Sequence, residues 1–450
     1  MINLFERFNQ PTETLYHSMM EAGLDHLTVV LNDDGFLPEA VTSPYRFFAE
    51  NEIKDSDHAL YFNEIEVPRF WDIEGDNNQA VIKDMGQVRG KIHYQPNYKQ
   101  RIVSSVEWLD PQGFVRYRDH YDQFGIRFAQ TTYDLRGVAI LKEYFTREGE
   151  PIIYVNYTTS NYVLTWHGKD YFFETEADFI VFYLEVMGID LDSFVINHLG
   201  TPLSVVYNLG IEGHDYVIWQ EHIDIDAALP GNMSLVLNEG NLNRSLRDFT
   251  LVVPDRHEYD QIVEKVDKEV KQKVELGGYI YPFTRRNQFT QSILTMTNSD
   301  QIENLEELVK LSPHLKFHIG ALTEMSSKLM AMERYENVKL YPSIERETVK
   351  KLYDDCDIYL DINSGNEILD AVRRAFLSDM LIFAYAETVH NLKYVLDGEE
   401  GNVFKTADYR GLMHKLHQTV DNHEKWRGLL KRQKQQANAV EVKTFRRLFE

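Results

Sequence analysis

Cysteine is almost absent from the chain, since Cys356 is the single one among 450 residues and sits in an apolar segment. One cysteine cannot form an internal disulfide or a cysteine-based zinc site, so a reducing compartment, the cytoplasm, is expected. His167, His198 and His222 lie in different segments, without i,i+4 spacing or an acidic residue at metal-ligand spacing. We therefore predict no metal site and no cofactor.

Basic charge is also scarce, with 47 Lys and Arg against 71 Asp and Glu and a formal net charge of −24. Phosphate contacts need basic surface, so nucleic acid is not expected as a partner. No stretch approaches the roughly 20 uncharged apolar residues that a membrane-spanning helix requires. The first residues, Met1 to Arg7, lack the basic-then-apolar order of a signal peptide. These absences predict a protein that is neither exported nor integral to a membrane.

Hydrophobic residues make up 43% and aromatic residues 12% of the chain, which is typical of folded proteins. Strands alternating with helices occupy two stretches and predict α/β units with parallel sheets. Between them, period-two strands are separated by turn residues such as Asp110-Pro-Gln-Gly113, Arg136-Gly137 and Glu148-Gly149. This middle stretch predicts an antiparallel β-meander without a short sequence repeat.

The changes in periodicity predict a division into domains. A first Rossmann-like fold comprises residues 1–63 and 174–257, and the meander is inserted at 64–173. A linker helix, a second Rossmann-like fold and a basic helical segment follow at 258–276, 277–424 and 425–450. Within these folds, strands are predicted at Ser234–Leu237 and from Gly277 to Tyr281, among others. The basic segment can dock on anionic lipid or on an acidic partner, or it can be a solvated last helix.

Polar residues follow a buried strand at Asp361-Ile-Asn-Ser-Gly-Asn-Glu-Ile-Leu-Asp-Ala-Val372. A helix is predicted to open with Glu367 and to carry Asp370, which could line a cleft or face solvent. Backbone N–H groups at a helix start favour negative or polar ligands. The candidate binding residues are Asn363, Ser364, Gly365, Asn366 and Glu367. The alternative is a capped helix with Ser364 or Asn366 as N-cap.

A second polar loop, Glu387-Thr-Val-His-Asn391, follows the predicted strand 380–384. Thr388, His390 and Asn391 are candidate binding residues, although Thr388 could cap a helix and leave His390 merely exposed. Arg285 is a further candidate binding residue, because Arg285 and Arg286 could hold a diphosphate. The alternative is that both are ordinary surface arginines.

Trp108, Tyr117, Tyr121 and Phe124 lie on the meander and could form an aromatic platform for a partner protein. The alternative for these four residues is ordinary packing of the sheet.

The combination resembles a known family, the accessory-Sec glycosylation proteins of streptococci and relatives. The residues that carry the resemblance are the half-Rossmann start, the meander motifs Glu107-Trp-Leu-Asp110 and Tyr121-Asp-Gln-Phe-Gly125, and the strand and loop at 357–372. The resemblance implies an α/β, GT-B-like fold of twin Rossmann folds with an inserted antiparallel β-meander. Active retaining members of that fold usually carry two glutamates eight positions apart. Superposition on Leu369-Asp370-Ala371 puts Asp370 at the second position and Ile362, which cannot bind a sugar, at the first.

Within the family, the chain is most similar to the non-catalytic, stabilising subunit. The resemblance implies a catalytic O-GlcNAc transferase subunit as partner, in a heterotetramer with two copies of each. It further implies a Ser/Thr-rich adhesin polypeptide as acceptor, modified in the cytoplasm before export, and peripheral contact with the cytoplasmic face of the membrane. One alternative is an active retaining glycosyltransferase that uses UDP-GlcNAc with Asp361 or Glu367 as its carboxylate. Another is a scaffold without sugar contact, which leaves the two polar loops unexplained.

Overall fold

The structure, a computed structural model, describes residues 1–76, 79–96, 101–224 and 228–450. The chain folds into two compact units. Unit 1 comprises Met1–Glu13, Asp25–Val253 and Asp260–Glu275, and unit 2 comprises Thr14–Leu24, Pro254–Tyr259 and Leu276–Glu450.

The first strand of the chain is an interior strand of the first parallel sheet. Its first elements are β1 (Ile2–Arg7), α1 (Gln10–Glu21), β2 (Thr28–Asn32), β3 (Val41–Thr42) and α2 (Pro44–Ala49). Strand β1 is buried because Ile2, Leu4 and Phe5 pack on both sides of the sheet, where β2 and a later strand flank it in parallel. Sequence analysis did not identify β1 as a strand.

An antiparallel sheet follows, and within the described residues it has ten strands joined in chain order. They are β4 (Asp72–Gly75), β5 (Gln79–Asp84), β6 (Gln87–Tyr94), β7 (Val103–Leu109), β8 (Val115–Tyr121), β9 (Arg127–Tyr133), β10 (Ala139–Phe145), β11 (Pro151–Asn156), β12 (Asn161–Trp166) and β13 (Lys169–Phe173). The predicted meander is therefore present. Helix α2 packs on it through Tyr45, whose ring stacks on that of Tyr144 at 3.9 Å.

Four successive turns of this sheet share one geometry and recur at intervals of 12 residues, starting at Asp110, Asp122, Asp134 and Thr146. In the first three, one carboxylate oxygen accepts the backbone N–H groups two and four residues later. The fourth residue of each turn is a glycine with φ between 79° and 90°, a conformation that costs other residues free energy. The expectation of no short repeat is thus wrong for this stretch.

Unit 1 is completed by a return to α/β structure. Its further elements are α3 (Glu176–Met187), β14 (Phe194–Ile196), α4 (Thr201–Tyr207), β15 (Gly213–Ile218), α5 (Gly231–Val236), β16 (Arg247–Val253), α6 (Arg256–Lys265), of which the first residues belong to unit 2, and β17 (Val274–Leu276). The sheet has the order β17-β16-β15-β14-β1-β2-β3. The strand predicted at Ser234–Leu237 is wrong, because Met233 and Val236 are buried at helical spacing on α5.

Unit 2 contains a second parallel sheet, with the order β20-β19-β18-β21-β22-β23. Its elements are β18 (Ser292–Thr297), α7 (Leu305–Leu311), β19 (Lys316–Ala321), α8 (Ser327–Met330), β20 (Val338–Tyr341), α9 (Arg346–Asp355), β21 (Ile358–Asp361), α10 (Ala371–Leu377), β22 (Leu381–Tyr385), β23 (Val403–Phe404), α11 (Tyr409–Val420), α12 (His423–Gln436) and α13 (Val442–Arg446). The strand predicted from Gly277 to Tyr281 is wrong, because Tyr279 makes only an isolated bridge to Ala439.

Two parallel α/β sheets, with an antiparallel sheet inserted in sequence between β3 and β14 of the first, confirm the predicted fold class. In the second sheet, the strand order reverses between β18 and β21, so the crevice beyond their carboxyl ends is the expected place for a ligand. Across the four described ranges, no helix is both long and apolar enough to cross a membrane.

Candidate functional site

The two polar loops singled out in the sequence lie side by side in unit 2. The loop after β21 and the loop after β22 leave neighbouring parallel strands at the same edge of the sheet. Thr297 at the end of β18 reaches the same edge, where its hydroxyl donates to the Asn363 side-chain oxygen at 2.8 Å. The candidate site is therefore built on the carboxyl ends of three adjacent strands.

A buried carboxylate and a histidine join the two loops. One Asp361 oxygen accepts the backbone N–H of His390 at 2.8 Å, and the other lies 2.5 Å from His390 Nδ1. Asp361 is 1% exposed, so its charge needs a partner within the protein. The hydrogen bond to Asp361 raises the pKa of His390 to about 9 despite partial burial. His390 is therefore an imidazolium at neutral pH.

The second ring nitrogen of His390 is also engaged by the protein. His390 Nε2 donates to the carbonyl oxygen of Gly365 at 2.7 Å, and the Thr388 hydroxyl donates to the carbonyl of Asp361 at 3.2 Å. Both imidazole N–H groups thus have protein acceptors, and His390 connects the two loops as a cross-link. This geometry favours a positioning role for His390 over direct contact with a ligand.

The remaining residues of the first loop divide into inward and outward side chains. Asn363 is buried at 3% exposure, and its oxygen also accepts the Ser299 hydroxyl at 3.3 Å. Ser364 is exposed and donates to Glu303 at 2.6 Å. Asn366 is exposed, and Asn391 in the second loop is half-buried. Of the two exposed polar side chains in this loop, Ser364 is hydrogen-bonded to Glu303, and Asn366 has no hydrogen-bond partner among the described residues.

The helix after the first loop begins later than predicted. Leu369 and Asp370 have φ of 52° and 54°, a left-handed conformation that interrupts any helix starting at Glu367. Helix α10 starts at Ala371, with Asp370 at the N-cap position, so the prediction of Ser364 or Asn366 as N-cap is wrong. Glu367 accepts the backbone N–H of Val372 at 2.9 Å. Burial raises the pKa of Glu367, and one of its two carboxylate oxygens is engaged at the helix start.

Arg285 lies at the other end of strand β21. Its guanidinium pairs with Asp357 at 2.6 Å and donates to the carbonyl of Tyr353 at 2.8 Å. Asp357 precedes the strand, whereas Asp361 ends it, so the structure does not bring Arg285 together with the two loops. Arg286 is exposed. The contacts of Arg285 favour the structural interpretation over diphosphate binding.

The four aromatic residues of the meander have different environments. Trp108 and Tyr121 pack against a buried cluster that includes Ile82 and Ile92, and the Trp108 indole donates to Asp119 at 2.6 Å. Phe124 is half-buried in one of the repeated turns. Tyr117, paired across the strands with Trp108, is 46% exposed. Of the four, Tyr117 offers the most free surface to a partner.

Thr297, Ser299 and Glu303 contact the first loop and were not identified from the sequence. Thr297 ends β18, and the other two residues follow it. The sequence analysis also missed this strand, although Ser292-Ile-Leu-Thr-Met-Thr297 is apolar apart from serine and threonines. The signal that could have found them is a polar run, Asn298-Ser-Asp300, directly after such a segment.

Comparisons with known proteins cover nearly the whole chain. The GtfB N-terminal, middle and third domains match residues 2–48, 71–174 and 176–264. The GftB/GlyA-F C-terminal domain matches residues 293–433. The matched segments therefore extend through both units and include both polar loops.

Two curated relatives carry the same name, UDP-N-acetylglucosamine–peptide N-acetylglucosaminyltransferase stabilizing protein GtfB. The one from Streptococcus agalactiae is 42% identical and covers 88% of each chain. The one from Limosilactobacillus reuteri subsp. suis is 36% identical, over 100% of this chain and 98% of the relative. A solved structure, a GtfA/B complex bound to UDP and GlcNAc, contains a chain with 36% identity and a TM-score of 0.93, over 100% of this chain and 99% of that one.

Proposed function

The chain belongs to the GtfB family, and from this premise we propose that it is the non-catalytic, acceptor-binding and stabilising subunit of a two-protein O-GlcNAc transferase. Its partner is a GtfA-type catalytic subunit, assembled as two copies of each. The acceptor is a serine-rich repeat adhesin polypeptide, which the complex modifies on Ser and Thr in the cytoplasm before export by the accessory Sec system. Contact with the cytoplasmic membrane face is peripheral.

One observation carries the non-catalytic role: each carboxylate close to the expected catalytic position is already engaged. Both oxygens of Asp361 bond to His390. One oxygen of Glu367 accepts the Val372 N–H at the start of α10, and Asp370 pairs with Arg373 at 3.4 Å. Ile362, at the position of the first family glutamate, is fully buried in the core of unit 2. Each of these carboxylates thus has a partner among the described residues, whereas the alternative of an active glycosyltransferase requires a carboxylate that stabilises a developing cation.

Acceptor binding is supported by what the two loops leave accessible. The Asn366 amide can donate to and accept from hydroxyl groups, and the cross-link through His390 holds its loop in place before any ligand arrives. A neutral, hydroxyl-bearing ligand such as a GlcNAc-modified Ser/Thr-rich peptide suits this surface. Asn363 to Glu367, Thr388, His390 and Asn391 are therefore proposed as the acceptor site and its supports.

Purified protein incubated with labelled UDP-GlcNAc and a Ser/Thr-rich peptide tests the non-catalytic role. We expect no glycopeptide from the protein alone and robust product when a GtfA-type subunit is added. Loss of one electrostatic stabiliser typically reduces rates by about 10²–10³. As a control for acceptor binding, the Asn366→Ala variant is combined with the catalytic subunit. This variant should slow the transfer of GlcNAc without abolishing it. Robust product from the protein alone would overturn the proposal in favour of the active glycosyltransferase.

The stabilising role requires a surface for the catalytic subunit, and the antiparallel sheet of unit 1 offers one. Cross-strand pairing puts the exposed Tyr117 and Phe172, at 46% and 63% exposure, on the same face of this sheet. Strands β4 and β13 are its edges, and unpaired edges favour pairing with another strand. We expect assembly through this sheet.

Co-expression with a GtfA-type subunit, followed by size exclusion, tests this surface. Deletion of residues 64–173 should abolish the complex, and Tyr117→Asp with Phe172→Asp should weaken it. Leu135→Asp is the matched control, because Leu135 is 78% exposed in a turn. An intact complex with the deletion would place the interface elsewhere.

A further inference from the structure

A cavity of about 750 Å³ opens in unit 2 between α12 and the segments before β18 and α13. Its lining includes the cations Arg286, Arg427, Lys431 and Lys434 and the acids Asp379 and Glu441. The lining is thus positive within a chain whose formal net charge is −24. The charge of this lining is therefore opposite in sign to the net charge of the chain.

Three of the four cations have no acidic partner in the described part of the chain. Lys434 pairs with Asp379 at 2.6 Å, whereas Arg286, Arg427 and Lys431 form no ion pair. All three are exposed. Cations around one cavity that have no ion-pair partner repel one another, and an anion that binds between them relieves this repulsion.

Helix α12, which carries three of the cations, is held against the sheet. Arg427, Lys431 and Lys434 lie at i, i+4 and i+7 on one face of this helix. The helix is fastened to the sheet by Gln433, which is 1% exposed, donates to the carbonyl of Met380 at 2.9 Å and accepts the Ile382 N–H at 3.0 Å. The Phe289 ring provides an apolar wall, and the Arg427 guanidinium lies 5.1 Å from its centre.

The cavity is distinct from the acceptor loops. Asp379 and Asn287, both in its lining, lie at the amino ends of the strands, where the Asn287 side chain donates to the carbonyls of Asp357 and Asp379. The acceptor loops follow the carboxyl ends of β21 and β22. An anion bound here would therefore occupy the opposite edge of the same sheet.

We propose that this cavity is a binding site for a phosphate-bearing ligand, held by Arg286, Arg427 and Lys431. Arginine forks and a lysine ammonium are the usual donors to phosphate oxygens. The source of the phosphate is a soluble diphosphate or a phospholipid headgroup, two ligands that share this chemistry. This site is separate from the proposed acceptor site, so a negative result for phosphate binding does not bear on acceptor binding, and the reverse is also true.

Two probes separate the sources. Pyrophosphate binding to the full chain is measured by calorimetry at low salt, and flotation uses phosphatidylcholine vesicles with about a third phosphatidylglycerol or with none. We expect binding of pyrophosphate, or of the anionic vesicles alone, and weakening with added salt. Binding only to anionic vesicles would assign the phosphate to a lipid, and binding only to pyrophosphate would assign it to a soluble ligand.

Paired variants test whether the cavity is responsible. Arg427→Gln with Lys431→Gln should weaken binding about tenfold or more, because two charge-assisted hydrogen bonds are lost. Lys443→Gln with Arg447→Gln removes the same charge from exposed residues of the same segment outside the lining, and should change binding less than about twofold. Circular dichroism checks that both variants fold. Equal losses in the two variants, or no binding of either probe by the wild type, would overturn the proposal.

Discussion

Strand β21 carries a buried carboxylate at each end, and the two carboxylates hold cations of different kinds. At the amino end, Asp357 pairs with Arg285, and at the carboxyl end, Asp361 pairs with His390. Both aspartates are 1% exposed. Arginine keeps its charge at every pH that proteins tolerate, whereas histidine titrates. The ion pair at the amino end therefore keeps its cation at every such pH, whereas the ion pair at the carboxyl end depends on the protonation of His390.

The two pairs also differ in the groups to which they are hydrogen-bonded. Asp357 also accepts the backbone N–H groups of Gln288 and Thr290, so the amino-end carboxylate is satisfied by groups that serve the fold alone. At the carboxyl end, the histidine passes its second hydrogen bond on to Gly365, inside a loop of the candidate site. The amino-end pair stabilises the unit, and the carboxyl-end pair positions a binding surface.

The largest effect is expected from Asp357→Ala. This change leaves the Arg285 guanidinium buried without its counter-charge, which typically costs about 3–5 kcal/mol of unfolding free energy. Urea unfolding measures the loss. Glu400→Ala, which breaks the exposed pair with Arg432, is the control and should cost no more than about 1 kcal/mol. Similar costs for both variants would contradict the assignment of the amino-end pair to stability.

His390→Ala should have the next largest effect. It leaves Asp361 with a backbone N–H and an unpaired charge, but the His390 side chain is 15% exposed, so water can partly replace it. We expect a loss of about 2–3 kcal/mol. Hydrogen exchange of residues 361–367 should accelerate as the cross-link disappears.

Exposed His414 serves as the control for this variant, and His414→Ala should change neither quantity. If His390→Ala destabilises the chain but leaves exchange of the loop unchanged, His390 does not position it.

The pH dependence of stability should separate the two pairs. The pKa of His390 is raised from 6.5 to about 9, so its contribution is fully present below pH 6.5 and is lost as pH rises through about 9. Allowing for partial exposure, the loss should be on the order of 2 kcal/mol. Urea unfolding of wild type and His390→Gln across this window measures it as a difference.

The wild type must be compared with His390→Gln because two lysines titrate in the same pH window. Burial lowers the pKa values of Lys142 and Lys393 to about 8. Parallel curves for the two proteins would show that His390 has no raised pKa.

The smallest effect is expected from Asn366→Ala. Loss of a neutral hydrogen bond contributes about 0.5–1.5 kcal/mol, so affinity for a GlcNAc-bearing repeat peptide should fall a few-fold to roughly tenfold, with stability unchanged. Fluorescence anisotropy with modified and unmodified peptides measures it. Gln288→Ala, an exposed residue at the amino end, is the matched control. Equal affinity of wild type and both variants for both peptides would remove the loop from the acceptor site.

Regular hydrophobic periodicity predicted many of the strands and helices. Features that depend on contacts between distant residues could not be predicted in this way. The apolar runs around Phe194, Phe317 and Phe383 indicate buried parallel strands, and the structure has strands there. Helix α10 starts late because Leu369 adopts a left-handed conformation, which its residue type disfavours and which the surrounding structure must impose.

The candidate site was located from the sequence, but its internal geometry was not. Two polar loops after two apolar strands are a local signal, and Asn363 and His390 were found in this way. The bond between Asp361 and His390 joins residues 29 positions apart, and no local pattern specifies it. Arg285 was predicted as a diphosphate-binding residue, but its partner Asp357, 72 residues later, lies at the amino end of β21, away from the two loops.

The four equivalent turns of the antiparallel sheet have an evolutionary consequence. Because a strand and its turn take 12 residues from Asp110 to Thr146, two consecutive units, an antiparallel hairpin, can be duplicated or lost while the other strands keep their direction and register. Each strand pairs only with its two neighbours, so the sheet behaves as a linear array in which units add their stabilities. The width of this sheet can therefore diverge in steps of two strands while the parallel sheets stay unchanged.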